Sequence, residues 1–149
     1  MAENSALSSL DDYINFGWID DASIEKDAKR ENAKLKTKTP SMDQILKNLS
    51  GGNQQKVIIA RWLLKDSDIF IFDEPTRGID IGAKSEMYTL MEELAAQGKA
   101  VIMISSELAE IQRLSDRVIV MCEGRITAEL DIAEASQETI MKYATMREE

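Results

Sequence analysis

Residues 49–80 read LSGGNQQKVIIARWLLKDSDIFIFDEPTRGID, and the rest of the chain is best interpreted outward from them. Two glycines precede Asn53 to Leu64, whose apolar positions predict a helix that is well buried on more than one side. The four residues from Ile69 to Phe72 then form a continuous β-prone apolar run bounded by charge. This run predicts a strand buried on both faces of a parallel sheet.

Helices and strands continue to alternate towards the C-terminus. Gly98 can cap a helix in the left-handed conformation, Glu123-Gly124 favours a turn between two strands, and Ser136 can cap a last helix. The predicted elements are helices over 81–97, 108–114 and 136–146 and strands over 101–104, 117–121 and 125–130. The alternation predicts an α/β fold with a mostly parallel sheet flanked by helices.

Residues 1–48 differ from this pattern because they are polar and mixed. We expect a small apolar knot of Phe16, Trp18 and Ile19, followed by a charged helix over 23–36. Pro40 then separates that helix from a short one over 41–47, since proline disfavours helix in the residue before it and fits the first turn of a new helix. The chain is thus predicted to divide into a partial helical subdomain, 1–48, and an α/β part, 49–149.

Composition narrows the class of protein. A chain of 149 residues with 44% apolar content is long enough for one compact domain, and its one cysteine, Cys122, is expected to be a buried packing residue. The net charge of −9 argues against nucleic acid as a partner. No membrane-spanning run and no signal peptide is visible, so a cytoplasmic location is expected.

Two acidic residues, Asp73 and Glu74, follow the predicted strand directly. Ligands bind at the carboxyl ends of strands in open parallel sheets, so these carboxylates are candidate site residues. In P-loop nucleotide hydrolases the Asp of such a strand helps to hold magnesium, and a neighbouring carboxylate can orient the attacking water. Four apolar residues before Asp-Glu are common by chance, so the surrounding motifs carry the argument.

The motif Ser50-Gly51-Gly52 lies before the acid pair, and residues 75–80, PTRGID, lie after it. The glycines open a helix, so its first backbone N–H groups and the positive end of its dipole can face a phosphate. In this order the three motifs resemble the signature, the Walker B strand with its catalytic glutamate, and the D-loop of ABC ATPases.

A finer resemblance is to the ATP-binding subunits of bacterial carbohydrate importers of the ribose, galactose and xylose kind, which carry two fused cassettes. It covers most of residues 40–130, and the pattern is similar to the second cassette. The matching sequences are LSGGNQQK at 49–56, ARWL at 60–63, DEPTRGIDIGAK at 73–84, ISSEL at 104–108 and SDR at 115–117.

The resemblance implies a partial P-loop NTPase domain and assigns roles to eight residues. Ser50, Gly51, Gly52 and Gln54 would contact ATP as the signature, and Asp73 would hold Mg²⁺. Glu74 and Ser106 would be the catalytic residues, and the D-loop residue Asp80 would lie at the seam between two cassettes.

Implied partners are the N-terminal cassette of the same protein or a second ABC cassette, a membrane permease and, indirectly, a periplasmic sugar-binding protein. The subunit would lie on the inner face of the cell membrane when assembled.

The chain departs from a complete cassette in two ways. It has no Gly-x-x-x-x-Gly-Lys-Ser/Thr loop, because its only Gly-Lys pair, Gly98-Lys99, is followed by Ala100 and precedes a strand. It also has Ser106 where many ABC ATPases have a histidine. We therefore expect this chain alone to bind ATP poorly and to hydrolyse none.

Two other interpretations remain open at the level of sequence. The first is a non-transport ABC ATPase of DNA repair or translation, although the long heptad arms or basic surfaces usual in that class are missing. The second is a non-catalytic truncated cassette that acts as an interaction module. A P-loop encoded in frame upstream of Met1 would indicate excision from a larger cassette, and a stop codon there would support the truncated product.

Overall fold

The computed structural model describes residues 1–146, so residues 147–149 of the predicted 49–149 part lie outside the described residues. The chain forms two compact units. Unit 1 contains residues 1–70 and 75–102, and unit 2 contains residues 71–74 and 103–149. The predicted division at residues 48 and 49 stays a prediction. Among the described residues, no helix is both long and apolar enough to cross a membrane.

The N-terminal part of unit 1 is a small helical cluster with a hairpin. It contains α1 (Ala2–Ala6), a 3₁₀ segment (Leu7–Tyr13), β1 (Ile14–Asn15), β2 (Trp18–Ile19) and α2 (Asp21–Lys34). Its core is formed by Ala6, Tyr13 and Ile24, and burial together with the neighbouring Asp27 raises the pKa of Tyr13. The Asp20 carboxylate begins α2 by accepting a hydrogen bond from the Ser23 amide.

Two predictions for this part were wrong. Phe16, Trp18 and Ile19 do not form an apolar knot, because they lie on the exposed β1–β2 hairpin and the core is made by other residues. The helix over 41–47 is replaced by a single 3₁₀ turn, Leu46–Asn48. Carbonyls that such a helix would use instead accept from the N-terminus: Met42 from the amide of Ala2, and Gln44 from the amino group of Met1.

The remainder of unit 1 and the start of unit 2 confirm the alternation of helix and strand. The elements are α3 (Gly51–Leu64), β3 (Ile69–Asp73), α4 (Ile81–Ala96) and β4 (Ala100–Ile104). Strands β3 and β4 form one two-stranded sheet. Their terminal hydrogen bonds join Ala100 to Asp68 and Glu74 to Ile104, so both strands run in the same direction. Gly98, at φ +85°, follows α4 as predicted.

Strand β3 is not buried on both faces, contrary to prediction. Phe70 and Phe72 are buried, whereas Ile69 and Ile71 are exposed. The same alternation leaves Ile102 and Ile104 of β4 half exposed. An all-apolar run predicts a doubly covered strand only where layers pack on both sides, and in residues 1–146 only one face of this strand is covered.

Unit 2 continues with α5 (Leu108–Leu114), β5 (Arg117–Cys122), β6 (Arg125–Asp131) and α6 (Gln137–Ala144). Strands β5 and β6 are antiparallel and are joined through Glu123-Gly124, both at positive φ, as the turn residues predict. A cluster of Val118, Val120, Ala135 and Ile140 forms the core, Ser136 caps α6, and Cys122 is buried as expected.

Neighbouring residues of α3 provide a matched test of this packing. Val57 is fully buried, whereas Ile58 is 40% exposed. We expect Val57→Ala to lower the free energy of unfolding by about 2 kcal/mol, because it removes buried methyl groups and leaves a cavity. Ile58→Ala removes more carbon atoms but should cost less than about 1 kcal/mol. Urea unfolding followed by circular dichroism measures both, and equal losses would contradict the observed orientation of α3.

Candidate functional site

The start of α3 has an open first turn. Ser50 is the N-cap residue in extended conformation, but its hydroxyl does not cap the helix and instead accepts a hydrogen bond from Asn53 Nδ2 at 2.8 Å. Gly51 is exposed, and nothing lies within 4 Å of the position that a side chain would take. The main chain of this turn can therefore be approached closely by a ligand, as the sequence predicts.

Gly52 serves a different purpose from Gly51. A Cβ atom at Gly52 would lie 3.0 Å from the Cβ of Ala83, in the first turn of α4. This separation is tighter than ordinary van der Waals contact, and both atoms would be held by helical backbone. Glycine at position 52 thus allows α3 and α4 to approach each other within unit 1.

The two glutamines after Asn53 bind backbone carbonyls of their own unit. Gln54 Nε2 donates to the Leu49 carbonyl at 2.7 Å, and Gln55 Nε2 donates to the Pro75 carbonyl at 3.3 Å. The side-chain nitrogen of Gln54 is therefore bonded within the chain. Its side-chain oxygen is the atom that it can offer to a ligand. Gln55, which sequence reasoning did not single out, connects the start of α3 to the segment that follows Glu74.

Lys56 was also missed as a functional candidate. Its Nζ lies 2.5 Å from Glu86 Oε2 of α4 and donates to the Lys36 carbonyl at 3.4 Å. The lysine side chain is only 10% exposed, whereas that of Glu86 is 49% exposed. A lysine between buried positions of a helix is the signal that could have identified it, because a buried ammonium group needs a partner.

Asp80 occupies the N-cap position of α4. Its Oδ1 accepts a hydrogen bond from the Ala83 amide at 3.0 Å. The preceding residues Pro75 and Thr76 are buried, and Gly78 adopts φ +74°. The Asp80 carboxylate thus begins the helix against which Gly52 packs, and its role as a D-loop residue stays a prediction.

Unit 2 contains the predicted catalytic residues, Glu74 and Ser106, and the predicted magnesium ligand, Asp73. Asp73 is exposed at the end of β3, and Glu74 follows in the left-handed region at φ +46°. The Glu74 amide donates to the Ile104 carbonyl at 2.9 Å. The Ser106 amide donates to Glu74 Oε1 at 3.0 Å. Both hydrogen bonds hold the glutamate against the end of β4, as expected for acids at the carboxyl ends of parallel strands.

Ser106 acts here through its backbone. Its N–H group holds the glutamate, while its side chain is exposed. The serine hydroxyl that orders this turn belongs to Ser105, which accepts from the Glu107 amide and donates to the buried Glu110 carboxylate at 2.9 Å. Sequence reasoning named Ser106 as a catalytic residue but did not identify this main-chain contact.

Within residues 1–146, no three histidine, cysteine or acidic side chains are grouped so that they could hold a metal ion. Asp73 and Glu74 nevertheless suit magnesium, because that ion commonly binds one or two protein carboxylates and takes its other ligands from water and substrate phosphates. The carboxylates can also orient a water molecule and accept its proton.

The chain resembles known proteins in family profile, in sequence and in fold. The ABC transporter family profile matches residues 1–77. One relative is a ribose/galactose/methyl galactoside import ATP-binding protein of Halalkalibacterium halodurans. It is 58% identical to this chain over 143 residues. A Clostridium perfringens ribose import ATP-binding protein is 53% identical over 145 residues. These matches cover 96% and 97% of this chain but only 27% and 29% of the two relatives.

Solved structures share the fold. A bacterial ABC transporter cassette, solved as a dimer, matches with a TM-score of 0.74 and 23% identity over 88% of this chain and 56% of its own. The α/β, P-loop NTPase type of fold predicted from the sequence is thereby confirmed as that of a partial cassette domain.

The pairing of Lys56 with Glu86 predicts an asymmetric response to mutation. Glu86→Gln leaves the ammonium group buried without its counter-charge and should lower the free energy of unfolding by about 1–3 kcal/mol. Lys56→Met fills the same space and leaves a glutamate that water can reach, so it should cost less than about 1 kcal/mol. Urea unfolding measures both, with Glu92→Gln on exposed α4 surface as the control. A larger loss for Lys56→Met would contradict the pairing.

Proposed function

The chain belongs to the ABC transporter family, and we propose that it is the signature-bearing part of an ATP-hydrolysing cassette that drives carbohydrate uptake in bacteria. The observation that carries the proposal is the position of Glu74. Its carboxylate follows β3 directly, beside Asp73, and is held by the Ser106 amide at the end of β4. This is the placement that a catalytic carboxylate of a parallel-sheet nucleotide hydrolase needs.

Glu74 would act on the attacking water. One carboxylate oxygen, Oε1, accepts the Ser106 N–H, which orients the group and leaves Oε2 to accept a hydrogen bond from water. The fixed carboxylate would thus hold the nucleophile in line with the γ-phosphate of ATP and receive its proton. In this proposal Ser106 is a positioning residue through its amide, and its exposed hydroxyl can hydrogen-bond water or phosphate.

Asp73 is the residue that would hold Mg²⁺ in the assembled site. When bound, the ion neutralises charge on the phosphates. Asp73 lies at the strand end and is exposed, so its carboxylate is available for this role. The phosphate loop of that site, with its lysine and its magnesium-binding hydroxyl, has no counterpart in the sequence of this chain. We therefore propose that the 149 residues alone do not hydrolyse ATP.

The start of α3 would serve a second nucleotide. Ser50 and Gly51 present an open helical turn to which a γ-phosphate can bind through main-chain N–H groups, with Gly52 and Gln54 beside them. We propose that this phosphate belongs to ATP held by the phosphate loop of another cassette, either the N-terminal cassette of the same protein or a separate one. Asp80 would then lie near the seam between the two cassettes.

The names of the relatives support a proposal for the transport partners. Proteins named for ribose and galactose import resemble this chain over nearly its whole length. We propose the same class of assembly here: a cassette pair on the inner face of the cell membrane, bound to permease subunits that receive sugar from a periplasmic binding protein. The net charge of −9 gives no support to a nucleic-acid partner.

The test uses a chimera in which this chain replaces the matching segment of the Halalkalibacterium halodurans relative. We expect Glu74→Gln to lower ATP hydrolysis at the site that contains it about 100-fold or more, because the amide cannot accept the proton of the attacking water. ATP binding should persist, since the amide oxygen can still accept the Ser106 N–H. Single-turnover hydrolysis and equilibrium nucleotide binding measure the two effects.

Glu138→Gln, on the first turn of α6, is the matched control and should leave both quantities unchanged. Unchanged hydrolysis in the Glu74→Gln chimera would contradict the catalytic role. Hydrolysis by the unextended 149-residue chain would contradict the proposed dependence on a phosphate loop from outside it.

A further inference from the structure

The β1–β2 hairpin in unit 1 is a short, well-defined projection. Ile14 pairs with Ile19 and Asn15 pairs with Trp18, while the Asp20 amide donates to the Tyr13 carbonyl at 2.9 Å and closes the base. Phe16 and Gly17 form the tip, with φ values of +51° and +83°. Two successive positive φ values identify a two-residue turn of the type that matches the twist of paired strands.

The apolar side chains of this hairpin are exposed. Phe16 is 104% exposed and Trp18 is 80% exposed, and Ile14 and Ile19 are about half exposed. Burial of large apolar side chains is a main source of folding stability, so four of them left in water forgo that stabilisation. The local core does not use them, since Tyr13 at the base packs with Ala6 and Ile24 instead. We call these four residues the hairpin patch.

The backbone conformation of Phe16 indicates that the exposed aromatic ring at the hairpin tip does not serve folding. A positive φ is unfavourable for a residue other than glycine, and a bulky side chain is unusual there. Asparagine or aspartate would form the same turn more easily. An aromatic ring is nevertheless held at the tip, where it contacts solvent.

The sequence on either side of the hairpin patch carries charge of one sign. Asp11 and Asp12 precede the hairpin and Asp20 and Asp21 follow it, and residues 10–22 contain no lysine or arginine. Asp20 caps α2, whereas the other three carboxylates are exposed. An apolar centre with an acidic rim is complementary to an apolar segment flanked by basic side chains.

We infer that the hairpin patch is a docking surface for an amphipathic segment of a partner protein whose apolar side chains are flanked by lysine or arginine. The partner buries Phe16 and Trp18, and its cations face Asp11, Asp12 and Asp21. The acidic rim disfavours the anionic headgroups of a membrane and also a second copy of the same hairpin. This inference concerns a protein contact and does not depend on the nucleotide chemistry proposed above.

The test uses the full chain with Trp62→Phe, which leaves Trp18 as the single tryptophan. The probe is an amphipathic helical peptide of leucine and lysine, about 18 residues long. We expect saturable binding with a blue shift of Trp18 emission, because the indole leaves water. A peptide of the same composition in a non-amphipathic order should bind at least about tenfold more weakly, as should the leucine and glutamate counterpart.

Variants locate the contact. On the otherwise unchanged chain, Phe16→Ser with Trp18→Ser should weaken binding of the dye-labelled leucine–lysine peptide about tenfold or more, measured by fluorescence anisotropy. Asp11→Asn, Asp12→Asn and Asp21→Asn together should weaken it and reduce its salt dependence. Neutralising Glu92 and Glu93 on α4 is the matched control and should change neither. Because all these side chains are exposed, far-ultraviolet circular dichroism should remain unchanged in each variant.

Four results would overturn the inference. They are an unshifted Trp18 emission at saturating peptide, equal binding by the Phe16 and Trp18 double variant, preferential binding to phosphatidylserine vesicles over the peptide, and self-association that the double variant abolishes. The last two would assign the hairpin patch to a membrane or to a second copy of the chain.

Discussion

The close approach of α3 to α4 is the constraint on which the candidate site in unit 1 depends. It requires glycine at position 52, because a Cβ there would lie 3.0 Å from that of Ala83. Two polar contacts follow along the same helix: Gln55 binds the Pro75 carbonyl, and Lys56 pairs with Glu86 at 2.5 Å. The open turn at Ser50 and Gly51 therefore lies beside the helix that Asp80 begins, and Gly52 and Lys56 make the contacts between the two helices.

In unit 2 the positioning relies on main-chain hydrogen bonds. Glu74 leaves β3 in the left-handed conformation, donates to Ile104 and accepts from Ser106. Because the Ser106 donor is a backbone N–H group, its hydrogen bond to Glu74 fixes no rotatable side chain of the donor residue. The bond orients one oxygen of the Glu74 carboxylate and leaves the other available. The contact between position 106 and Glu74 uses the backbone amide and not the side chain. This contact therefore does not require a histidine at position 106.

The sequence predicted much of this arrangement because local patterns determine it. The helix after Gly51, the strand before Asp73, the turn at Glu123-Gly124 and the caps at Gly98 and Ser136 were all predicted from residue types whose conformational preferences are strong. The α/β class followed from the alternation of these elements. The family resemblance rested on the same motifs, whose spacing is visible without coordinates.

The features that could not be predicted from the sequence depend on contacts between segments that are distant in the chain. The burial of β3 on a single face, the exposure of Phe16 and Trp18, and the pairing of Met42 and Gln44 carbonyls with the N-terminus all follow from which segments pack together. Lys56 and Gln55 were overlooked because their partners, Glu86 and Pro75, lie 30 and 20 residues away in the chain. The main-chain contact of Ser106 could not be predicted because every residue other than proline has the same backbone N–H group.

The most direct measurement of the central claim compares the free energy of unfolding of Gly52→Ala with that of Gly51→Ala in this chain. Both substitutions add one methyl group to the first turn of α3, but only the methyl at position 52 meets Ala83. We expect a loss of about 1–3 kcal/mol for Gly52→Ala from overpacking, and little change or a small gain for Gly51→Ala, where the space is open. Equal effects of the two substitutions would contradict a positioning of the start of α3 by the approach of Gly52 to α4.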